Sequence, residues 1–260
     1  MKKLGFIGMG NMASAILLGA VGSGFLKGEE TVAFDLDAAK MAELNAKCGM
    51  AMADSAVAVI NSSEVVLIAV KPIHVEGVLA ECREALKGKA LLSIAAGWSY
   101  TRYHELVDDS TRICAIMPNT PAMVGESMAL IDATNDLTLD ELAFTRGLFG
   151  ALGEVEELPS HLMAVGAALS GCAPAWVYMM IEALADGAVL HGMPRATAYK
   201  LASQTVLGSG KMVRDTNQHP GKLKDDVCSP GGITIRGVQA LEASGFRAAL
   251  MDAVSAAYQK

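Results

Sequence analysis

A short stretch near the start of the chain could hold a phosphate with backbone alone. Gly8-Met9-Gly10-Asn11-Met12-Ala13 follows an apolar run at 4–7 and opens an amphipathic stretch at 12–21. In such a G-x-G-x-x-A turn the glycines bend the chain tightly and let main-chain N–H groups approach a pyrophosphate, while Ala13 keeps the helix close to the sheet. The pattern by itself also describes a structural turn; its place after a strand and before a helix points to a dinucleotide. Asp35 stands 25 residues after Gly10, where a carboxylate accepts hydrogen bonds from adenosine ribose hydroxyls and repels a 2′-phosphate. That tilts the choice toward NADH, but Lys40 offers a counter-charge nearby, so NADH and NADPH both stay open. A solvated turn aspartate followed by Asp37 is the plain alternative. Ala69-Val70-Lys71-Pro72 and Ala95-Ala96-Gly97 end two further apolar runs. In an open α/β sheet both turns face the crevice beyond the strand ends. Lys71 either touches cofactor phosphate or ribose there or is an ordinary surface lysine.

The elements that must position these residues are legible as alternating periods. Runs at 4–7, 31–34, 65–70, 91–94 and 112–116 have strand length and apolar or β-branched character, with helical patterns at 12–21, 38–48 and 75–86 between them. This alternation predicts a doubly wound parallel sheet with helices on both faces, the Rossmann type. A strand at 127–131, a helix at 139–152 and a strand at 155–158 complete a first domain over residues 1–159. Beyond Ser160, a residue suited to cap a helix, the period is helical: 161–190, 195–214 and 233–257, interrupted by His219-Pro220-Gly221 and Ser229-Pro230-Gly231-Gly232. Residues 160–260 are therefore expected to be all α, and to form a homodimer through long apolar helices that one copy cannot cover.

Composition narrows the function. The chain has 260 residues, 52% of them hydrophobic, and a net charge of -7, which disfavours a nucleic-acid surface. Cys48, Cys82, Cys114, Cys172 and Cys228 are odd in number and show no C-x-x-C spacing, so neither a disulfide framework nor a structural zinc is expected, and a reducing cytoplasm fits. The N-terminal apolar run is too short for a signal peptide. Residues 162–181 carry no charge and have the length of a membrane span. Their Ala, Gly and Ser content, Pro174, and the continuation through Glu182 and Asp186 favour a helix buried in protein. Gly208-Ser209-Gly210-Lys211 lacks the first glycine and final hydroxyl of a phosphate loop, and Gly125-Glu126-Ser127-Met128-Ala129 lacks the last glycine of a nucleophile elbow. The five histidines show no chelating spacing, so no metal is expected.

A set of ordered segments carries a more specific signal: Gly5-Phe6-Ile7-Gly8, Ala69-Val70-Lys71-Pro72, Met117-Pro118-Asn119-Thr120-Pro121, Leu169-Ser170-Gly171-Cys172-Ala173-Pro174, His219-Pro220-Gly221, Ser229-Pro230-Gly231-Gly232-Ile233-Thr234 and Glu242-Ala243-Ser244-Gly245-Phe246. With them the chain resembles pyrroline-5-carboxylate reductases over nearly its whole length. The resemblance implies a Rossmann domain, a helical dimerisation domain with higher assembly from dimers, and reduction of 1-pyrroline-5-carboxylate to L-proline by NADH or NADPH. It assigns the substrate nitrogen to Thr234 and lines the nicotinamide side with Asn119, although Asn before Thr-Pro also suits a turn.

That reaction needs an anion anchor, a hydride on the correct face and a donor to the ring nitrogen. Ser229, Gly231, Gly232, Ile233 and Thr234 can meet the first and last, since a glycine loop opening a helix presents unpaired N–H groups to a carboxylate; a plain loop and cap fits the spacing equally. An unperturbed hydroxyl is a poor acid, so Thr234 is expected to polarise the imine or orient a water. Cys172, Ala173, Trp176 and Ile233 depart from the family's usual Ser, Gly, Tyr and Thr, which makes the pocket more apolar and leaves open a preference for another cyclic imino acid. Cys172 and Cys228 are expected to be buried, inert thiols. A β-hydroxyacid dehydrogenase is disfavoured because no lysine follows Ser170-Gly171 until Lys200. A non-catalytic dinucleotide sensor is the remaining alternative.

Overall fold

Short runs rich in Val, Ile and Leu bury both faces when they pair edge to edge between helices, and the first part of the chain does this in a single eight-stranded sheet. The strands are β1 (Lys2–Ile7), β2 (Thr31–Phe34), β3 (Ala51–Met52), β4 (Ser63–Ile68), β5 (Ala90–Ser93), β6 (Arg112–Met117), β7 (Ser127–Asp132) and β8 (Gly153–Leu158). Their spatial order is β3-β2-β1-β4-β5-β6-β7-β8. This is a computed structural model that describes residues 1–258, so the last two positions of the expected second domain lie outside the described residues. The chain divides into two units, residues 1–171 and from 172 onward.

In the first unit the strands alternate with α1 (Asn11–Gly22), α2 (Ala38–Cys48), α3 (Ala56–Ser62), α4 (Pro72–Cys82), α5 (Tyr100–His104) and α6 (Leu139–Gly150). Side-chain alternation along β1 divides the core into two layers. Leu4 and Phe6 join Ile16 and Leu17 of α1 and Leu148 and Phe149 of α6. Ile7 joins Val59 and Ile60 of α3, Val75 and Leu79 of α4 and Tyr103 of α5. Gly5 is required on that second face, because a Cβ there would stand 2.2 Å from Ser63 Oγ.

Two features correct the expected parallel plan. β7 runs antiparallel to β6, with Ile116 opposite Ile131. The link between them holds only a short 3-10 turn, Thr120–Val124, and a parallel return needs a crossover of a dozen or more residues. β3, α3 and α5 were not foreseen, because elements this short carry too few residues to reveal a period.

The run after Pro159 forms α7 (Ser160–Gly166), a π-helical turn at Ala167–Cys172 and, in the second unit, α8 (Ala173–Leu190). α9 (Arg195–Thr216), α10 (Pro220–Val227), α11 (Ile233–Ala243) and α12 (Phe246–Tyr258) follow. The expected single helix at 233–257 is two, since Gly245 takes a left-handed φ of +72 and ends the first. His219-Pro220-Gly221 starts a helix instead of merely interrupting one: Pro220 occupies its first turn and His219 Nδ1 accepts from the Gly221 N–H at 3.0 Å.

The helices of the second unit are not buried as expected. α8 and α9 meet through small side chains, with Ala185, Ala198 and Ala202 buried. Tyr178, Met179, Leu184, Leu207 and Met251 stay largely exposed. The helical run Ser160–Leu190 is long and apolar enough to cross a membrane, and only 6% of its most apolar stretch is buried. A lone chain has too few helices in this unit to cover these faces. For the same reason Cys172 is exposed and Cys228 half-buried, contrary to expectation, while the buried thiols are Cys82 and Cys114. Burial pushes the Cys114 thiol up to about 12, which keeps it protonated and inert.

Two ion pairs tie α6 to the sheet, Arg146 with Glu157 of β8 and Arg112 of β6 with Glu141; in the second, Arg112 donates from Nε and Nη2 to the two Glu141 oxygens at 2.8 and 2.6 Å. Burial opposes ionisation of Glu141, but hydrogen bonds from Arg112 and Thr138 outweigh it and hold its pKa below the ordinary value. A carboxylate with a depressed folded pKa contributes stability above its unfolded pKa and loses it as pH falls through the folded one. Glu141→Gln should therefore cost about 1 to 3 kcal/mol at pH 7. The difference in melting temperature from wild type should close below about pH 4; a gap independent of pH would show that the charge is not what matters.

Candidate active site

Gly8 leaves β1 with φ +89, a conformation open to glycine and costly for other residues. Its N–H donates to the Phe34 carbonyl at 2.9 Å, and a Cβ would meet Val70 Cγ1 at 2.8 Å. Gly8 therefore seats the loop between β2 and β4. Gly10 is different. It has ordinary backbone angles, φ -62 and ψ -177, and a Cβ added to it would meet nothing within 4 Å. The open space in front of Gly10 faces the start of α1.

That helix start has no side-chain cap and no acidic residue in its first turn. By contrast, Asp37, Ser55, Ser99 and Thr138 cap α2, α3, α5 and α6 with their side chains. Asn11 and Met12 sit where the helix supplies no acceptor for their N–H groups, so an anion set before Gly10 completes α1. The residues thus fit a pyrophosphate. Met9 does not offer a free amide: its side chain is fully buried in the core and its N–H donates to Asp35 Oδ2 at 2.6 Å. Asp35 Oδ1 accepts from the Asp37 N–H at 2.9 Å. The carboxylate is held at the end of β2 by two backbone amides, and half-exposed.

Ala69, Val70, Lys71 and Pro72 form the turn from β4 into α4. The Ala69 N–H donates to Ile7 O at 2.8 Å, next to Gly8, and Lys71 is exposed as the N-cap of α4 without a side-chain bond. Ala95, Ala96 and Gly97 follow β5, with the Ala95 N–H donating to Ser93 Oγ at 3.2 Å. β1, β4 and β5 are adjacent and parallel, so the expected cofactor segments 8–12, 69–72 and 95–97 gather at one end of the sheet. Trp98, which the sequence reading did not single out, lies between the last two. Its only signal was an aromatic residue placed directly after a turn glycine.

Asn119, expected to line the nicotinamide side, is already bonded within the first unit. It is 8% exposed, its Nδ2 donates to Ser170 O at 3.0 Å, and its Oδ1 accepts from the Met128 N–H at 2.9 Å and from Ser127 Oγ at 3.3 Å. The side chain is spent on holding the β6 end, β7 and the π-helical turn together, which leaves little of its amide for a substrate.

The second unit has its own uncapped helix. Gly231 has φ +71 and Gly232 is the N-cap of α11, again without a side-chain cap or a first-turn acid. The Gly232 N–H closes a turn onto Ser229 O at 3.0 Å. A Cβ on Gly232 would stand 2.5 Å from Ser229 Oγ and push that side chain aside, while the left-handed φ of Gly231 is what favours glycine in the turn. Ile233 is 86% exposed, and Thr234 is half-exposed one residue further into the helix. Ser229 to Thr234 can thus present α11's first amides and one hydroxyl to a small anion. Among the described residues no group of three or more metal-ligating side chains is gathered.

Two family models match parts of the chain. Residues 160–260 match the family model for pyrroline-5-carboxylate reductase dimerisation, and residues 3–97 match that for NADP oxidoreductase, coenzyme F420-dependent. The chain is 41% identical to the pyrroline-5-carboxylate reductase of Escherichia coli, over all of this chain and 97% of that one. It is 40% identical to the Arabidopsis thaliana enzyme, over 99% of this chain and 94% of the relative. Among solved structures, Plasmodium falciparum pyrroline carboxylate reductase with NADP bound has a TM-score of 0.89 at 32% identity, covering 99% of this chain and 95% of that one. The Coxiella burnetii pyrroline-5-carboxylate reductase has a TM-score of 0.92 at 29% identity, with coverages of 99% and 96%.

The two loop glycines make separable predictions. Gly10→Ala should fold with unchanged melting temperature, since it meets no atom of the protein, yet raise the KM for the dinucleotide roughly tenfold or more by filling the space a pyrophosphate takes. Gly8→Ala should lower the melting temperature, by about 1 to 3 kcal/mol of backbone strain. Dinucleotide titration beside thermal melting of both variants checks the pair; unaltered binding in Gly10→Ala would remove the cradle.

Proposed function

The chain belongs to the pyrroline-5-carboxylate reductase family and is an oxidoreductase reducing 1-pyrroline-5-carboxylate to L-proline with a nicotinamide dinucleotide; we propose that the Ser229-Pro230-Gly231-Gly232 loop holds its substrate's carboxylate. The observation that carries this reading is the uncapped start of α11 behind Gly232. A carboxylate there accepts from main-chain N–H groups that no side chain of the helix satisfies, and the partial positive charge of the helix start favours it.

The nicotinamide, when bound, supplies a hydride to the imine carbon. Gly8 and Gly10 shape the turn that receives the pyrophosphate, Asn11 and Met12 offer their amides, and Ala69 to Pro72 and Ala95 to Gly97 border the dinucleotide. Met9 acts from behind, as the amide that holds Asp35. A protonated cyclic imine is already an electrophile, so the chain has to orient it more than activate it. Thr234 contacts the ring nitrogen and orients its proton; a threonine hydroxyl is too weak an acid to protonate it unaided.

Asp35 argues for NADH. Its negative charge is pinned by the Met9 and Asp37 amides and cannot swing aside easily for a 2′-phosphate. The exposed apolar faces of α8, α9 and α12 belong, on this reading, against a second copy of the chain and not in a bilayer, which suits the dimerisation model matched by the same residues. Higher assembly would build on that dimer. Five free thiols suit a cytoplasmic enzyme. A second substrate reading, a larger cyclic imino acid, is favoured only by the exposed Ile233 beside the anchor.

Two measurements test the proposal. Thr234→Ala should lower kcat/KM for pyrroline-5-carboxylate by roughly 10- to 100-fold with dinucleotide affinity unchanged, and Thr234→Ser should recover most of it; equal losses in both would deny the hydroxyl its role. With wild type, kcat/KM should be several-fold higher for NADH than for NADPH, and Asp35→Ser should narrow that ratio. A clear NADPH preference in wild type would overturn the assignment of Asp35.

A further inference from the structure

The turns after β4 and β5 belong to different strands, and their separation sets the width of the crevice they border. Gly97, at φ +77, turns the chain so that Trp98 packs back beneath both, at 7% exposure. Its indole N–H donates to the Pro72 carbonyl at 3.1 Å, a bond from one turn to the other. Two neighbours pack on the ring: the Arg102 guanidinium lies 3.9 Å from its centre and the Tyr103 ring 5.2 Å away. Tyr103 is fully buried and its hydroxyl bonds that of Ser93, whose Oγ accepts from the Ala95 N–H at 3.2 Å. Pro72, Trp98, Tyr103, Ser93 and Ala95 therefore make one connected path through both turns. An aliphatic side chain at 98 could fill part of the volume, but it has no donor for the Pro72 carbonyl.

We propose that Trp98 is a positioning residue for the dinucleotide: its indole N–H sets the spacing of the 69–72 and 95–97 turns, and the stacked Arg102 keeps the ring in place. This rests on the reading that those turns border the cofactor. The role differs from core filling because the bond spans two loops at the strand ends, where a small change of spacing alters binding without unfolding the sheet.

The test compares wild type with Trp98→Phe, which keeps an aromatic ring and loses the N–H, and with Arg102→Ala, which removes only the exposed stacking partner. Trp98→Phe should raise the KM for the reduced dinucleotide about three- to tenfold, with kcat and the KM for pyrroline-5-carboxylate within twofold of wild type. Arg102→Ala should move the same constant in the same direction by less. Should Trp98→Phe fail to fold, the Arg102→Ala split decides the matter alone. A dinucleotide KM unchanged in both, or a fall in kcat that tracks a loss of melting temperature, overturns the proposal. Gly10→Ala in the same assay separates the two layers of argument. If it weakens dinucleotide binding while Trp98→Phe does not, the strap fails and the cradle stands; if neither has an effect, the cofactor reading fails and takes the strap with it.

Discussion

An α-helix begins with N–H groups that it cannot satisfy itself, and this chain leaves two such beginnings without side-chain caps behind glycine loops. Other helices are capped by side chains: Asp37, Ser55, Ser99 and Thr138 each accept from an amide in the following turn, while α4, α7, α8 and α9 start just after Lys71, Pro159, Cys172 and Pro194 without one. At Gly10 and Gly232 no side chain accepts, and no acid stands in the first turn. An acidic cap at either place would compete with an anion bound there. On the proposed reading, the charge that recognises the anions is backbone charge, which needs no lysine or arginine.

The rest of the first unit serves to hold that backbone still. The Gly8 amide is fixed to β2, Ala69 to β1, Met9 to Asp35, and Trp98 to Pro72. Each of these bonds joins segments far apart in sequence, so the loop geometry is inherited from strand order. The sheet's two apolar layers supply the rigidity, and the Tyr103 hydroxyl, whose pKa burial raises to about 12, stays a neutral partner for Ser93. Asn119 performs a related service, joining the β6 end to β7 and to the Ser170 carbonyl in the π-helical turn. Such turns recur at functional sites because they leave a carbonyl to be satisfied from outside the helix.

The two units differ in how their apolar surface is disposed of. The first buries it on both faces of the sheet, while the second, with Ala185, Ala198 and Ala202 as its buried side chains, leaves large residues of α8, α9 and α12 uncovered. A helical unit of about 90 residues has a high surface-to-volume ratio, and family membership explains the surplus as surface meant for another copy. The same circumstance exposes Cys172, whose neighbours in sequence had suggested a buried thiol.

Residue order alone determined the alternation of strand and helix, the G-x-G-x-x-A turn, Asp35 at the end of β2 and the glycine loop before Thr234, because each is a local pattern whose physical meaning needs only its immediate neighbours. It could not show the bonds of Asn119, since the partners of that amide at 127, 128 and 170 lie elsewhere in the sequence, and an asparagine before Thr-Pro looks the same whether it faces a ligand or a carbonyl. It also missed the reversal at β7 and the break at Gly245, where a short link and a single left-handed residue outweigh the surrounding period. Tertiary structure alone decided that Met9 would spend its amide on Asp35 and that Trp98 would tie Pro72. Those bonds depend on which strands become neighbours, and strand adjacency is settled by packing of the whole sheet.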